Sequence, residues 1–450
     1  MIPRKSDDAT DRALFVDLYE LTMLRAYHEE SMTGRASFSL FVRRLPRHRN
    51  FLVACGLDDA LTYLEELHFP EEALEYLVER PEFDASFVDW LGSLRFRGDV
   101  WAVPEGTPVF PEEPLLEVEA AIPEAQVVES FLMNQVHLQT VLASKAVRVK
   151  GAAGDRKVVD FGIRRMHGLD AGIKSARAFH VAGVDATSNV LAGYRYGVPV
   201  TGTMAHAYIQ AHDDELDAFR AFAQTFPDTV LLVDTYDSLE GVRKVVRLRD
   251  ELGDEFQVQG IRLDSGDLGS LARESRRILD EAGLQRLEII ASGGLNEWKI
   301  RELLASGAPI DGFGVGTGMG VSEDVPSLDF AYKLTGYAGR GRVKLSPGKR
   351  ILPGRKQVFR VEEDGRAVED VIARAGERLP GRPLMVKVME GGRRLPEGKA
   401  TLDEARAHRA SEVTRLPDRL RELAPADPPY HVRLSEELRE ALEEATPTRP

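Results

Sequence analysis

The chain contains one cysteine, Cys55, in 450 residues. A lone cysteine excludes an intrachain disulfide and any zinc site built from several thiolates, and it fits a reducing cytoplasm. Long apolar runs are missing as well. None approaches the ~20 residues that span a bilayer. The opening MIPRKSDDATDRALF lacks the apolar core of a secretory leader. Neither a membrane span nor a leader is expected. Positive charge is also scarce, with 59 Lys and Arg against 73 Asp and Glu, a net charge of −14. That balance argues against general binding to nucleic acid or an anionic membrane. Any anionic substrate must be held by a local cluster of cations against the overall field. Short-period repeats and low-complexity tracts are absent. What remains is ordinary for a globular chain, 43% hydrophobic and 29% charged. The length suffices for a full core and two domains.

The N-terminal part mixes helical and strand texture. Residues 14–30 carry apolar side chains at helical spacing, and 51–67 do the same. RASFSLFVRR (35–44) alternates like a strand, and 99–120 consists of short β runs broken by Pro and Gly. A long helix is expected from Pro123, with proline in its first turn. From about Val158 a repeated texture begins. Short β-rich runs end in Gly, Ser, Asp or Thr and are followed by helical stretches. The runs are 158–162, 182–188, 198–202, 229–235, 258–264, 287–293 and 312–317. Strands alternating with helices imply a parallel sheet with right-handed crossovers. Seven strands come close to a barrel, irregular because the connection from 188 to 198 is short. A doubly wound open sheet is the alternative. After about Tyr337 the pattern stops in a Gly- and Arg-rich run, and an amphipathic helix is expected near 434–444.

The fold class expected is therefore α/β, an irregular (β/α) barrel with an added α+β domain. The boundaries expected are 1–122 for the α+β domain and 123–340 for the barrel. Residues 341–450 form a C-terminal segment packing on either.

In such a barrel the chemistry sits at the C-terminal ends of the strands. Those ends carry Phe161-Gly162-Ile163-Arg164-Arg165, Asp185 to Asn189, Thr203 and His206, Asp234 to Ser238, Arg262 to Asp267, Ser292-Gly293-Gly294 and Gly314 to Gly318. A Gly-rich turn before a helix is either a tight turn or a phosphate cradle of backbone N–H groups. Two such turns beside Arg164, Arg165 and Arg262 favour the cradle. Arg262 and Asp264 alternate on one strand and so face one side. Arginine offers a fork for carboxylate or phosphate. Asp234, Asp237, Asp264 and Asp267 suit ribose hydroxyls or a hydrated Mg²⁺, and about half of them are expected only to cap helices. His206 has no partner at metal-ligand spacing, which leaves a nucleophilic or acid–base role.

These residues carry a resemblance. VDLYELTM, FVRRLP, DFGIRR, GVDATSNVLAG, GTMAHA, DTYDS, IRLDSGD, GVGTGMG and LPGRKQVF, in this order from Tyr19 to about Phe359, resemble the nicotinate phosphoribosyltransferases. The resemblance implies transfer of phosphoribosyl from 5-phosphoribosyl 1-diphosphate to nicotinate, giving nicotinate mononucleotide and diphosphate in NAD salvage. It implies Mg²⁺, and ATP hydrolysis coupled through a phosphohistidine at His206. Tyr19 and Thr203 match residues that contact the pyridine, Arg262 matches one that binds nicotinate, and Phe161 matches a stacking aromatic. Arg164, Gly293, Gly294, Thr317 and Gly318 match positions around the phosphoribosyl group, and Asp264 matches an acid near the ribose. In relatives the tyrosine comes from a second subunit, which implies a homodimer with shared sites. The runner-up readings are a related transferase acting on nicotinamide or quinolinate and a non-catalytic phosphosugar-binding barrel. Ser188 and Asn189 stand where an acid greeting an amide is expected, and quinolinate enzymes are typically much shorter.

Overall fold

The computed structural model describes residues 8–344, 346 and 350–446. The start of the polar lead-in (1–7), parts of the Gly- and Arg-rich run (345 and 347–349) and the last four residues lie outside the described residues. The chain forms two compact units. One takes the chain up to Ser144 and again from Ser327; the other is Lys145–Pro326. The division falls inside one helix, Glu129–Ala153.

The unit Lys145–Pro326 holds a parallel sheet of β1 (Lys157–Asp160), β2 (Ala186–Thr187), β3 (Val230–Leu232), β4 (Gly260–Leu263), β5 (Glu288–Ala291) and β6 (Gly312–Val315). Its order is β2-β1-β6-β5-β4-β3. The first strand pairs with the last, as barrel closure requires. Ile261 and Leu263, Ile289 and Ala291, Phe313 and Val315 alternate along their strands and are buried, so one face of the sheet packs into the core.

The sheet is open where the third expected strand would stand. Of residues 198–202 only Val200 bridges Thr187, flanked by bonds from Thr187 N–H to Pro199 and from Thr201 N–H to Thr187. Pro199 has no N–H to give a ladder, so this run does not extend into a strand. The connection before it contains a helix, Val190–Tyr196, that ends at Gly197 in the left-handed region (φ 68°).

Helices follow the strands where their caps allow. Asn189, Asp214, Asp237, Asp267 and Asn296 each accept a backbone N–H in the first turn of the helix they precede. Two of the four aspartates weighed for chemistry, Asp237 and Asp267, are thus helix caps.

The helix Glu297–Ala305 is fixed by charge. Glu297 is fully buried and meets Lys145 at 2.6 Å and Arg148 at 3.1 Å; Lys145 also meets Asp324 at 2.7 Å.

In the other unit, Arg35–Val42 lies central in a seven-stranded sheet, between Phe330–Tyr337 and Pro114–Ala121. Val386–Glu390 joins the same sheet beside Asp99–Ala102. The C-terminal strands therefore rejoin the N-terminal β layer. A second sheet pairs Lys356–Glu363 with Arg366–Arg374. Three expectations change in detail. The helix expected over 14–30 runs Leu18–Glu29, and a separate helix, Asp8–Leu14, occupies the lead-in before it. The stretch 51–67 begins as the short strand Leu52–Val53 and becomes helical only at Leu57, after Gly56 (φ 100°). The helix from Pro123 divides into Ile122–Val127 and Glu129–Ala153.

Removing the carboxylate shared by two buried cations leaves their charge undercompensated. Glu297→Ala is expected to lower unfolding stability by roughly 3–5 kcal/mol in urea titrations. A loss below about 1 kcal/mol would show that this triad does not hold the helix.

Candidate functional site

The strand ends of the parallel sheet surround a cleft of about 410 Å³. Phe161, Arg164, Thr203, His206, Arg262, Asp264, Gly293, Gly294 and Thr317 all line it, with Arg165 and Ser188. Gly318 does not line it. It lies buried one residue beyond Thr317, where a Cβ would come 2.8 Å from the Leu295 carbonyl.

The cleft is built from short local devices. At the end of β1, buried Asp160 accepts the Gly162 N–H at 2.8 Å and the Thr187 hydroxyl at 2.7 Å. Burial pushes this carboxyl up, and those hydrogen bonds pull it back. The turn it braces delivers Phe161 and the one-turn helix Ile163–Arg165. The Phe161 ring occupies the space a side chain at 314 would fill, since a Cβ on Gly314 would sit 2.4 Å from it. Over that ring, 5.6 Å from its centre, lies the Arg262 guanidinium. Its Nη2 donates to the Met204 carbonyl at 2.9 Å, while its buried Nε has no partner. Burial lowers the Arg262 pKa; Asp264 and Asp234 oppose that, and Arg164 adds to it.

His206 opens the helix His206–Gln210, with Nδ1 3.1 Å from the Thr235 hydroxyl. Asp264 accepts from the Ser292 hydroxyl at 2.5 Å, and its N–H donates to Asp234 Oδ2 at 2.9 Å. The other oxygen of Asp234, Oδ1, is buried without a partner. Gly293 takes φ 86°, and a Cβ there would lie 1.8 Å from the Asp264 carbonyl oxygen. Only glycine lets the two strand ends approach so closely. Among the described residues no group of three His, Cys, Asp or Glu could hold a metal ion unaided.

Sequence reasoning missed three pieces of this arrangement: Thr235 beside His206, Ser292 on Asp264, and the space at Gly314. The first two join residues 29 and 28 apart in the chain. The third had a signal, because Gly312 and Gly314 alternate and so share one face of β6.

Tyr19 is not in this cleft. It is 47% exposed and lines a cleft of about 540 Å³ in the other unit, with Arg43, Glu129 and Lys333. The helix that carries Tyr19 is anchored at its start. The Ser130 hydroxyl lies 2.7 Å from Glu20 Oε1 and 3.2 Å from Asp17 Oδ2, and accepts the Asp17 N–H at 3.1 Å. Glu20 is fully buried and its Oε2 has no partner. Its carboxyl is pushed up to about 8 by burial and by Glu129 and Asp17, against the pull of Ser130.

The sign of the resulting pH dependence is definite. The folded value lies above the ordinary 4.5, so the folded state holds a proton that the unfolded chain releases. Stability resting on the neutral form is complete below that ordinary value and lost as pH rises through about 8. Urea midpoints followed from about pH 5 to 9 should fall more steeply for the native chain than for Glu20→Gln. Parallel curves would refute the buried neutral acid.

The chain matches the sequence profile of the nicotinate phosphoribosyltransferase N-terminal domain over residues 14–137, and that of the nicotinate phosphoribosyltransferase family over 156–343. It is 51% identical over 426 residues to a nicotinate phosphoribosyltransferase of Mycobacterium tuberculosis, covering 95% of this chain and 92% of the relative. With the Bacillus subtilis nicotinate phosphoribosyltransferase it shares 43% over 357 residues, covering 78% and 73%. The crystal structure of human nicotinic acid phosphoribosyltransferase superposes with a TM-score of 0.85 at 28% identity, covering 96% of this chain and all of that one. With its barrel, its arginine-lined cleft and these relatives, the chain belongs to the nicotinate phosphoribosyltransferase family.

Proposed function

We propose that this chain transfers phosphoribosyl from 5-phosphoribosyl 1-diphosphate to nicotinate, with ATP hydrolysis coupled through phosphorylation of His206. The observation that carries the reading is Arg262, half-buried over the Phe161 ring with a buried, unpartnered Nε N–H. A planar ring on Phe161 puts its carboxylate within reach of that guanidinium, a charge-assisted pair strengthened by burial. Ser188, not an acid, lines the same cleft. Asn189 is spent on the Gly172 carbonyl and on capping its helix. Neither residue offers a carboxylate to an amide nitrogen.

In the reaction the pyridine nitrogen bonds to C1′ as the bond from C1′ to the diphosphate oxygen breaks. Positive charge develops on the ribose and negative charge on the leaving diphosphate. Asp264 faces the first; Arg164, Arg165 and the N–H groups at Gly293 and Gly294 face the second. The donor set suits Mg²⁺, which takes one or two carboxylates plus phosphate oxygens. Asp264 and the unpartnered Oδ1 of Asp234 would hold it, and it would supply charge neutralisation on the diphosphate. Thr235 orients the His206 ring. A phosphoryl group there adds about −1.5 to −2 charge beside the arginines and reorganises the cleft. Tyr19 of a second copy completes the pyridine site, so the working assembly is a homodimer in the cytoplasm. The exposure of Tyr19 and its absence from the barrel cleft support that assignment.

Labelled nicotinate, 5-phosphoribosyl 1-diphosphate and Mg-ATP should yield labelled mononucleotide, and nicotinamide or quinolinate should yield none. Retained binding without product would favour a binding module. His206→Ala should abolish labelling of the protein by radioactive ATP and bring the rate down to the level without ATP. Label or stimulation that survives the change sinks the coupling. Gly293→Ala forces the Asp264 and Gly293 strand ends apart. It should cost about a hundredfold in kcat/KM with the fold intact by circular dichroism. A near-native kcat/KM would remove the close approach from the mechanism.

A further inference from the structure

A second arginine-rich cleft, of about 710 Å³, opens in the sheet unit. Arg35, Arg340, Arg342, Arg355 and Arg374 line it. Its place in the fold separates it from the Tyr19 cleft. Both clefts border the strands Arg35–Val42 and Phe330–Tyr337, but at opposite ends. Ala36 pairs with Tyr337 at one end and Val42 with Phe330 at the other. Tyr337 lines the arginine cleft, and Phe330 lines the Tyr19 cleft. At ~3.3 Å per residue the strand run between them is about 20 Å.

The charges in this cleft are not balanced from within. Its two acids are Glu119 and Glu444. Glu119 is already committed, 3.5 Å from Arg35, 3.8 Å from Arg355 and 2.9 Å from the Ser37 hydroxyl. Arg35 has a second acid in Asp99 at 2.8 Å, and Arg355 lies over the Trp101 ring at 3.9 Å. Among the described residues Arg340, Arg342 and Arg374 make no ion pair. Arg342 has only the Tyr337 ring, 6.0 Å away. Like charges gathered in a concave site repel one another and focus a positive field, and here they do so in a chain of net charge −14. Several guanidinium forks around one hollow match an anion that offers many oxygens in a row.

We propose that this cleft binds an oligophosphate chain, inorganic or carried by a nucleotide, at a site separate from the barrel cleft. The test uses the full chain at about 150 mM salt, where loose ion pairing is screened. Binding of inorganic triphosphate and of ATP is counted per chain by calorimetry. Two classes of site are expected. Arg164→Ala should remove one. Arg340→Ala combined with Arg374→Ala should weaken the other at least about tenfold, while mononucleotide formation without added effector stays unchanged. Equal affinity for the two probes assigns the site to the phosphate chain alone, and tighter ATP binding assigns it to a nucleotide. A single class abolished by Arg164→Ala, or a second class indifferent to the paired change or lost at that salt, overturns the proposal. If the chain makes no mononucleotide but keeps the second class, the proposed reaction fails and this site stands.

Discussion

The cleft depends on how Arg262 is held. Its guanidinium is tied to the Met204 carbonyl and lies over Phe161, whose ring fills the space left at Gly314. Three segments far apart in the chain are thus locked around one cation. Phe161 belongs to the turn after the first strand, Gly314 to the last strand, and Met204 to the loop that carries Thr203 and His206. A guanidinium drawn partly out of water is costly unless its N–H groups find partners. Here the protein satisfies Nη2 through Met204 and leaves the buried Nε without a partner. An anionic acceptor would satisfy that buried donor better than a neutral one.

Around that contact the walls are fixed by buried ionisable groups that reach no solvent. Asp160 braces the turn of Phe161 through Gly162 and Thr187. Glu297, with Lys145 and Arg148, sets the helix behind Ser292-Gly293-Gly294. Such groups contribute little net stability compared with apolar side chains of similar volume. Their value lies in direction: a hydrogen-bonded carboxylate has few acceptable positions, whereas an apolar contact has many. That restriction holds the residues lining the cleft in one arrangement.

Much of this was legible in the sequence. Runs of Val, Ile and Leu ending in Gly, Asp or Ser, spaced by amphipathic stretches, specify parallel strands and crossover helices. Their order then puts Phe161, Arg262, Asp264 and Gly293 on one rim. Three things were not legible, for physical reasons. Periodicity treats Val198 to Gly202 as a strand, yet Pro199 denies it a ladder, and only the fold shows that one bridge survives. The helix Leu402–Arg415 escaped notice because it is charged around most of its surface, with only Ala405 and Glu412 buried. Its one signal was the capping box of Thr401 and Glu404. Contacts such as Thr235 with His206 join neighbouring strand ends, where side-chain direction decides and spacing carries no information.

The missing third strand also explains the site's reach. A full strand at 198–202 would be bound to its neighbours on both sides, and the following loop would start at the rim like the others. With a single bridge at Val200, the chain leaves the sheet early and residues 202–205 run free of any ladder. That freedom lets the Met204 carbonyl turn to Arg262 from 58 residues away while His206 meets Thr235 at the end of β3. The open seam is therefore part of the site. Closing it with regular hydrogen bonds would stabilise the sheet and would take the carbonyl from Arg262 and the histidine from the cleft.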